Sequence, residues 1–392
     1  MIIEMKHVKC GDCFILSDNQ KYLIVDCGSS NKKNPLNRMD FTYKQIEPLL
    51  LSPNKKLDLL ITHFDADHYI GILGVSDQVF DKIYFPYCFF DNNLFCSTLA
   101  HILLLARGYS VEYEKISKEL ISLLLKLPKI LKQNGRLVSL QSGDRLMFNG
   151  NAFDVIWPHH VEARKITRGI NLSIVDDLDT TLPNIYEQYN LNIFNETILG
   201  FTNSLEVVFN TVNEAEFIEQ SQIERLIAPL QERYDELINR RTELDYIRYL
   251  GTDTPETIVH YLRLARRYLI SEMNGCSIIF HNNDLIFFGD TPIKVVDHLA
   301  KNSLFNHSYH VVKIPHHGTN GYFTKNLPSA AFYLIPNGGR KDMKVSRRFL
   351  NGKANKVYCS NCRDNRSAYC DFYNNNKQNC SISCWEPAPI TI

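Results

Sequence analysis

The sequence predicts an α/β protein, and three observations carry that reading. Short β-branched and apolar runs bounded by turn residues occupy both the first and the last third of the chain. Between them lie longer segments whose apolar residues recur at helical spacing. One apolar run, Leu57 to Ile61, opens directly into a loop dense in histidine and aspartate, the arrangement in which a buried strand delivers side chains to a site.

Taken in order, Ile2-Ile3, Phe14 to Leu16, Tyr22 to Val25 and Leu57 to Ile61 read as strands, with Ser17 to Gln20 as the turn of a hairpin. From Cys96 to Gln133 the spacing of Leu99, Ile102, Leu103, Ile116, Leu120, Leu123 and Leu124 predicts two helices with a break near Gly108. Strands resume at Leu137 to Leu140, Arg145 to Phe148 and Phe153 to Trp157. The polar stretch from His159 to Glu272 is mostly helical by pattern. In it Ile223, Leu226, Leu230, Leu237 and Leu244 share one face of a helix, or of a pair broken near Pro229. An amphipathic hairpin packed on the body or a partner-binding arm both fit that face. Strands return at Ser277 to Phe280, Leu285 to Phe288, His310 to Ile314 and Ala331 to Ile335. No internal repeat is visible.

With 392 residues, 44% of them hydrophobic and 22% charged, the chain can bury a large core, which excludes disorder and fibrous classes. The 43 basic residues balance the 43 acidic ones, so a globally basic nucleic-acid binder is excluded, though a local basic patch is not. No apolar run reaches membrane-spanning length, and Glu4 and Lys6 interrupt the start where a signal peptide needs apolar residues. The expectation is a soluble cytoplasmic protein without a membrane partner, its oligomeric state left open. Eleven cysteines, an odd number, argue for thiols or metal ligands rather than a complete disulfide framework.

The chemistry concentrates in Ile61-Thr-His-Phe-Asp-Ala-Asp-His-Tyr-Ile-Gly71. There His63, Asp65, Asp67 and His68 place imidazoles and carboxylates within six positions, a donor mixture suited to divalent transition metals. This loop resembles the signature of the metallo-β-lactamase fold, in the variant with aspartate at the second position that is typical of the metallo-hydrolase domain of the DNA-uptake protein ComEC and its stand-alone relatives. Four further elements resemble that group in the same order: Gly11-Asp12, Leu23-Ile-Val-Asp26-Cys-Gly28, Phe287-Phe-Gly-Asp290 and Lys313-Ile-Pro-His316-His317-Gly318-Thr319.

The resemblance implies an αββα sandwich with the metal site at one edge, between the sheets. It divides the chain into a first half of the fold at 1–158, a mostly helical insertion at 159–272, the second half at 273–358 and a Cys-rich tail at 359–392. It implies two divalent ions, with the oxygen-rich first site tilting from Zn²⁺ toward Mn²⁺. His63, Asp65 and Asp290 would hold one, and Asp67, His68, Asp290 and either His316 or His317 the other. A hydroxide between the ions would be the nucleophile, Asp67, His316 and His317 forming the catalytic set, with the spare histidine as proton donor. The midway histidine of commoner relatives has two candidate counterparts, His159-His160 or the Asn274-Gly-Cys-Ser277 element, of which the second is favoured. Gly318 and Thr319 would offer donors to a substrate oxyanion.

Nine basic residues stand against two acidic ones between Asn337 and Arg366, among them Arg340, Lys341, Arg347 and Arg348. A polyanion could follow them into the site, or they could be a solvated face offsetting the acidic helical stretch. Cys359, Cys362, Cys370, Cys380 and Cys384 could hold a structural zinc, remain reduced or form a disulfide. The leading expectation is a two-metal phosphodiesterase or nuclease acting on DNA or RNA. The alternatives are hydrolysis of a small phosphodiester or phosphorylated metabolite, and a partner-regulated effector of a bacterial antiviral defence system that docks through 159–272.

Overall fold

A computed structural model of the chain describes residues 1–30, 35–51, 55–87, 92–106, 111–189, 191–249, 256–337, 345–350, 353–360 and 389–392. Among these residues it is an α/β protein with two mixed sheets and ten α-helices. The strands are β1 (Ile2–Met5), β2 (Cys13–Asp18), β3 (Lys21–Cys27), β4 (Lys56–Leu60), β5 (Phe80–Pro86), β6 (Leu131–Leu140), β7 (Arg145–Phe148), β8 (Asn151–Trp157), β9 (Ile218–Glu219), β10 (Ile279–His281), β11 (Leu285–Phe287), β12 (Ser308–Lys313), β13 (Ser329–Ile335), β14 (Ala354–Cys359) and β15 (Ile390–Thr391). The helices are α1 (Pro35–Tyr43), α2 (Glu47–Leu50), α3 (Ala66–Tyr69), α4 (Asn92–Leu105), α5 (Val111–Ile130), α6 (His160–Tyr189), α7 (Asn195–Glu214), α8 (Gln220–Tyr249), α9 (Glu256–Gly275) and α10 (Ile293–Lys301).

The first sheet runs β15-β1-β2-β3-β4-β5-β6-β9 and the second β14-β13-β12-β11-β10-β8-β7. Each has an antiparallel part and a parallel part: β3 to β6 are parallel in the first sheet, β11 to β14 in the second. Alternation along the strands explains why the sheets face each other. Phe14, Leu16, Leu23 and Val25 of the first sheet share a buried cluster with Phe280, Phe287, Val311 and Leu334 of the second. The Phe14 and Phe287 rings meet edge to face at 5.1 Å. The intervening positions, such as Ile24, Leu59 and Ile83, belong to a larger cluster that includes Leu99 and Leu103 of α4 and Val295, Val296 and Leu299 of α10. Each fully buried side chain of this size contributes roughly 1.5–3 kcal/mol.

The described residues bear on several of these expectations. The hairpin at Ser17 to Gln20 is present, as the β2–β3 connection. Helix α8 runs unbroken through Pro229, which lies on its exposed side, where a carbonyl freed by proline can be solvated. Ile223, Leu230 and Leu237 do lie on its buried face. Within this mostly helical stretch the short strand β9 pairs antiparallel with β6 and extends the first sheet. Phe201, Leu205 and Phe209 of α7 lie in the same cluster as the sheet residues. The expected break near Gly108 lies outside the described residues. Cys359 closes β14 and is buried with the apolar cluster, while Cys362, Cys370, Cys380 and Cys384 lie outside the described residues. No described helix is long and apolar enough to cross a membrane.

Candidate metal centre

The ends of parallel strands build the centre. Asp26 lies near the end of β3, the loop Ile61 to Asp65 follows β4, Asp290 follows β11, and His316-His317 follows β12. Parallel strands that end together bring their following loops to one rim, the usual place for a site in such sheets. Two glycines let three backbone segments meet there. A Cβ on Gly11 would lie 2.3 Å from the Gly28 carbonyl oxygen, and one on Gly28 would lie 2.1 Å from the Asp67 carbonyl carbon. In that space Gly28 N donates to Asp12 O at 2.9 Å and Asp12 N donates to Asp67 O at 3.0 Å. The Gly11-Asp12 and Asp26-Cys-Gly28 elements are thus adjacent to the His63–His68 loop by close backbone packing.

Asp65 caps α3, accepting from Ala66 N at 2.8 Å, and this turn sends Asp67 and His68 inward. Asp12, His68, Asp290 and His317 form a buried group whose ligand atoms lie within 4.8 Å of one another, an arrangement that could hold a metal ion. His68 Nε2 is 3.3 Å from Asp290 Oδ2, and His317 Nε2 is 3.2 Å from the same oxygen and 3.4 Å from Asp67 Oδ2. His316 Nδ1 lies 3.1 Å from Asp290 Oδ2, but its ring is partly exposed and stacks on Tyr322 at 3.9 Å. Nε2 of His63, His68 and His317 is buried in each case without a hydrogen-bond partner. Imidazole nitrogens of His68 and His317 gathered on one buried carboxylate, with His63 Nε2 buried and unpartnered beside His68, make a donor set that fits a cation.

Each inner histidine is held from behind by a carboxylate. His68 Nδ1 is 2.8 Å from Asp26 Oδ2, and Asp26 also accepts from Thr62 N and Thr62 Oγ1. His317 Nδ1 is 3.0 Å from Asp12 Oδ1, and Asp12 Oδ2 is 2.6 Å from the Lys313 ammonium. A carboxylate on Nδ1 fixes the tautomer and aims Nε2, the arrangement typical around bound metals. Asp12 thus stands between the His317 ring and the Lys313 ammonium while also belonging to the group that could hold the ion.

The electrostatics follow from burial of like charges. Burial and the neighbouring Asp67 push Asp65 up to about 7. Burial opposes a proton on His68 and His317, but Asp290 and the carboxylates behind each ring outweigh it and hold both well above the ordinary imidazole value. The field that favours those protons equally favours a divalent cation. Burial lowers His316 to about 4, so this ring is neutral at pH 7. Burial also lowers Lys313, yet Asp12 and Asp290 more than offset it and keep the ammonium charged. Asp26, His316 and His317 all have positive φ, at 57°, 43° and 54°. Such strained residues cluster at sites whose surroundings dictate the backbone.

His63, Asp67, His68, Asp290, His316 and His317 are therefore brought together. Asn274 is buried at the same rim, hydrogen-bonded to Tyr322, with its Oδ1 unpartnered, and Ser277 Oγ accepts from Asp290 N at 3.2 Å. His159 is exposed and accepts from Glu162 N at the start of α6, and the side chain of His160 is not among those described. Gly318 and Thr319 do not offer the free donors expected of them. Gly318 N bonds Pro315 O, and both Thr319 N and Thr319 Oγ1 bond His316 O, because the tight turn consumes its own donors. Arg340 and Lys341 lie outside the described residues, as does the side chain of Arg347. Arg348 is exposed, its guanidinium over the Phe323 ring.

Asp12, Asp26 and Lys313 were not anticipated as site residues. Each stands beside a strand end in a motif that also carries a candidate ligand or a glycine, but the motif does not say which atom its side chain meets. No protein-family model matches the chain, and no curated protein matches it either.

Proposed function

We propose that this chain is a metal-dependent hydrolase of the metallo-β-lactamase type that cleaves phosphodiester bonds in DNA or RNA. The observation that carries the reading is the convergence of His68 and His317 Nε2 on Asp290, with Asp67 and Asp12 beside them, in a buried group that could hold a metal ion. The buried carboxylates Asp12, Asp26, Asp67 and Asp290 outnumber the Lys313 ammonium, an acidic excess that divalent ions would neutralise in place of the imidazole protons. His63, Asp65 and Asp290 would hold one ion, and Asp67, His68, Asp290 and His317 the other. His317 is chosen over His316 because its Nε2 faces both Asp67 and Asp290 from full burial.

Bound divalent ions supply a water nucleophile at neutral pH and a clamp on phosphoryl oxygens. The protein's own residues do the rest. Asp26 and Asp12 aim the imidazoles, and His316 presents a neutral ring at the rim, where its N–H can hydrogen-bond a substrate oxygen. The exclusion of water by Ile61, Phe64 and Tyr69 strengthens every charge interaction inside.

A polyanionic substrate is supported by where the basic segment begins. Ser346 N donates to Gly318 O at 2.8 Å and Val345 bridges Thr319, so Arg348 emerges directly beside the histidine loop. In this reading the helices of 159–272 form an insertion whose α7 supports the metal loop from below. The test is metal analysis of the purified protein, then cleavage assays on single- and double-stranded DNA and RNA with Mn²⁺, Mg²⁺ or Zn²⁺. Metal-dependent cleavage that is lost in Asp67→Ala and Asp290→Ala is expected. A metal-loaded protein that cleaves no polynucleotide under any of these conditions overturns the nuclease reading.

A further inference from the structure

We propose that Lys313 is a resident cation of the metal centre, one that ties the two sheets together at the site and limits Asp290 to a single oxygen for metal. The proposal rests on the metal-centre reading above and adds a role for a residue outside the ligand set.

Alternation along β12 explains how the lysine reaches the site. Val311 and Lys313 point between the sheets, whereas Val312 belongs to the cluster on the other face. At the strand end the inter-sheet core gives way to carboxylates, and a lysine 1% exposed stands two residues beyond Val311, where another apolar residue would continue that core. Its Nζ is 2.6 Å from Asp12 Oδ2, 2.7 Å from Gly289 O and 3.3 Å from Asp290 Oδ1. The ammonium donates to Gly289 O and Asp290 Oδ1, and its ion pair with Asp12 completes a set of three acceptors for three hydrogens. Asp12 precedes β2 in the first sheet and Asp290 follows β11 in the second, so one ammonium bridges the sandwich.

Two consequences bear on the centre. Asp290 Oδ1 is committed to the lysine, while Oδ2 alone faces His68, His316 and His317 at 3.3, 3.1 and 3.2 Å. Lys313 also offsets the charge of Asp12, which lets that carboxylate sit beside His317 Nδ1 without adding to the negative charge that gathers metal. The lysine thereby keeps the acidic cluster assembled whether or not metal is bound.

A cycle of Lys313→Met, Asp12→Asn and the double variant tests this, each melted after chelation and again with saturating Mn²⁺. In the chelated protein Lys313→Met is expected to lower Tm by about 5–10 °C, from the loss of a buried charge partner. The fall should be smaller when Asp12 is already Asn, and Mn²⁺ should raise Tm more in Lys313→Met than in the wild type, since the ion then offsets the uncompensated carboxylates. A lysine acting only through its packed methylenes predicts the same loss in all four combinations, and that result overturns the proposal. If Lys313→Met can be recovered folded only with Mn²⁺, the proposal stands; if neither it nor the double variant folds even with saturating Mn²⁺, the proposal fails. A wild-type chain that takes up no divalent ion sinks the metal-centre reading itself, separately from these comparisons.

Discussion

Replacing Gly28 by alanine is the sharpest probe of how the centre is assembled. The new Cβ would sit 2.1 Å from the Asp67 carbonyl carbon, 2.2 Å from His68 N and 2.3 Å from Asp67 O. All three are backbone atoms in the short helix that carries two candidate ligands, so no flexible side chain can swing away. Restoring ordinary contact requires the strand end and the loop to part by about 1 Å. Overpacking of this kind costs about 1–3 kcal/mol. The parting also stretches the Gly28 N to Asp12 O and Asp12 N to Asp67 O bonds, each worth about 1 kcal/mol. The expected loss is roughly 3–5 kcal/mol of stability, read by denaturant unfolding. A displacement of that size moves Asp67 and His68 relative to Asp290 and His317, so affinity for Mn²⁺ or Zn²⁺ in calorimetry should fall at least 10-fold, the scale of losses seen when the support of a metal ligand is disturbed. Gly321→Ala, where a Cβ meets nothing within 4 Å, is the control and should change stability by less than about 0.5 kcal/mol. A Gly28→Ala protein within 1 kcal/mol of wild type with unchanged metal affinity would refute the close-approach argument.

Other outcomes follow from the same structure. Asp26→Asn removes the charge behind His68 Nδ1 and should weaken metal binding about 10–100-fold in calorimetric titration; an unaltered affinity counts against the orienting role. Phe209 of α7 packs edge to face with Phe64 of the metal loop at 6.1 Å and with Phe95 at 6.0 Å. Phe209→Ala should cost about 3–5 kcal/mol and also weaken metal binding, and stability loss with full metal affinity would separate α7 from the loop. His101 is buried with Nδ1 against Ser97 O and Nε2 against the Tyr186 hydroxyl, and burial lowers it to about 4. Its folded value lies below the unfolded one, so its stabilising contribution is complete above about pH 6.5 and is lost as pH falls toward 4. At pH 5 the wild type should have lost about 2 kcal/mol that His101→Gln does not lose; parallel stability profiles for the two proteins would show that His101 does not titrate this way.

Legibility in the sequence tracks how local each feature is. The loop from His63 to His68 and the His316-His317 pair could be read because ligand density over a few contiguous positions is itself unusual. The hairpin at Ser17 to Gln20 was readable for the same reason, as turn residues between two apolar runs. Strand β5 was missed because Asp81 and Lys82 interrupt its pattern. Both side chains serve local pairings: Asp81 binds Lys132, and Lys82 stands opposite Asp58 in the neighbouring strand. Helix α10 was missed because nine residues give the helical period little length to register. The continuity of α8 through Pro229 depends on which side faces solvent, a property set by the packing of α7 and β6 against it rather than by the local sequence.

The outer members of the centre were illegible for a different reason. Asp12, Asp26 and Lys313 are 301 residues apart at their extremes, and their roles depend on which atom of a histidine each one faces. An aspartate that meets Nε2 shares a ligand position with it; one that meets Nδ1 orients the ring, and nothing in the local sequence distinguishes the two. The geometry does: Asp290 stands on the Nε2 side of both His68 and His317, Asp26 and Asp12 on their Nδ1 sides. In the proposed reading Lys313 answers a charge requirement, because two orienting carboxylates buried behind two candidate ligands would otherwise add to an already acidic cluster. The two faces of each imidazole thus sort four buried carboxylates, Asp67 and Asp290 on one side and Asp12 and Asp26 on the other, into those that would gather metal and those that hold the gatherers in place.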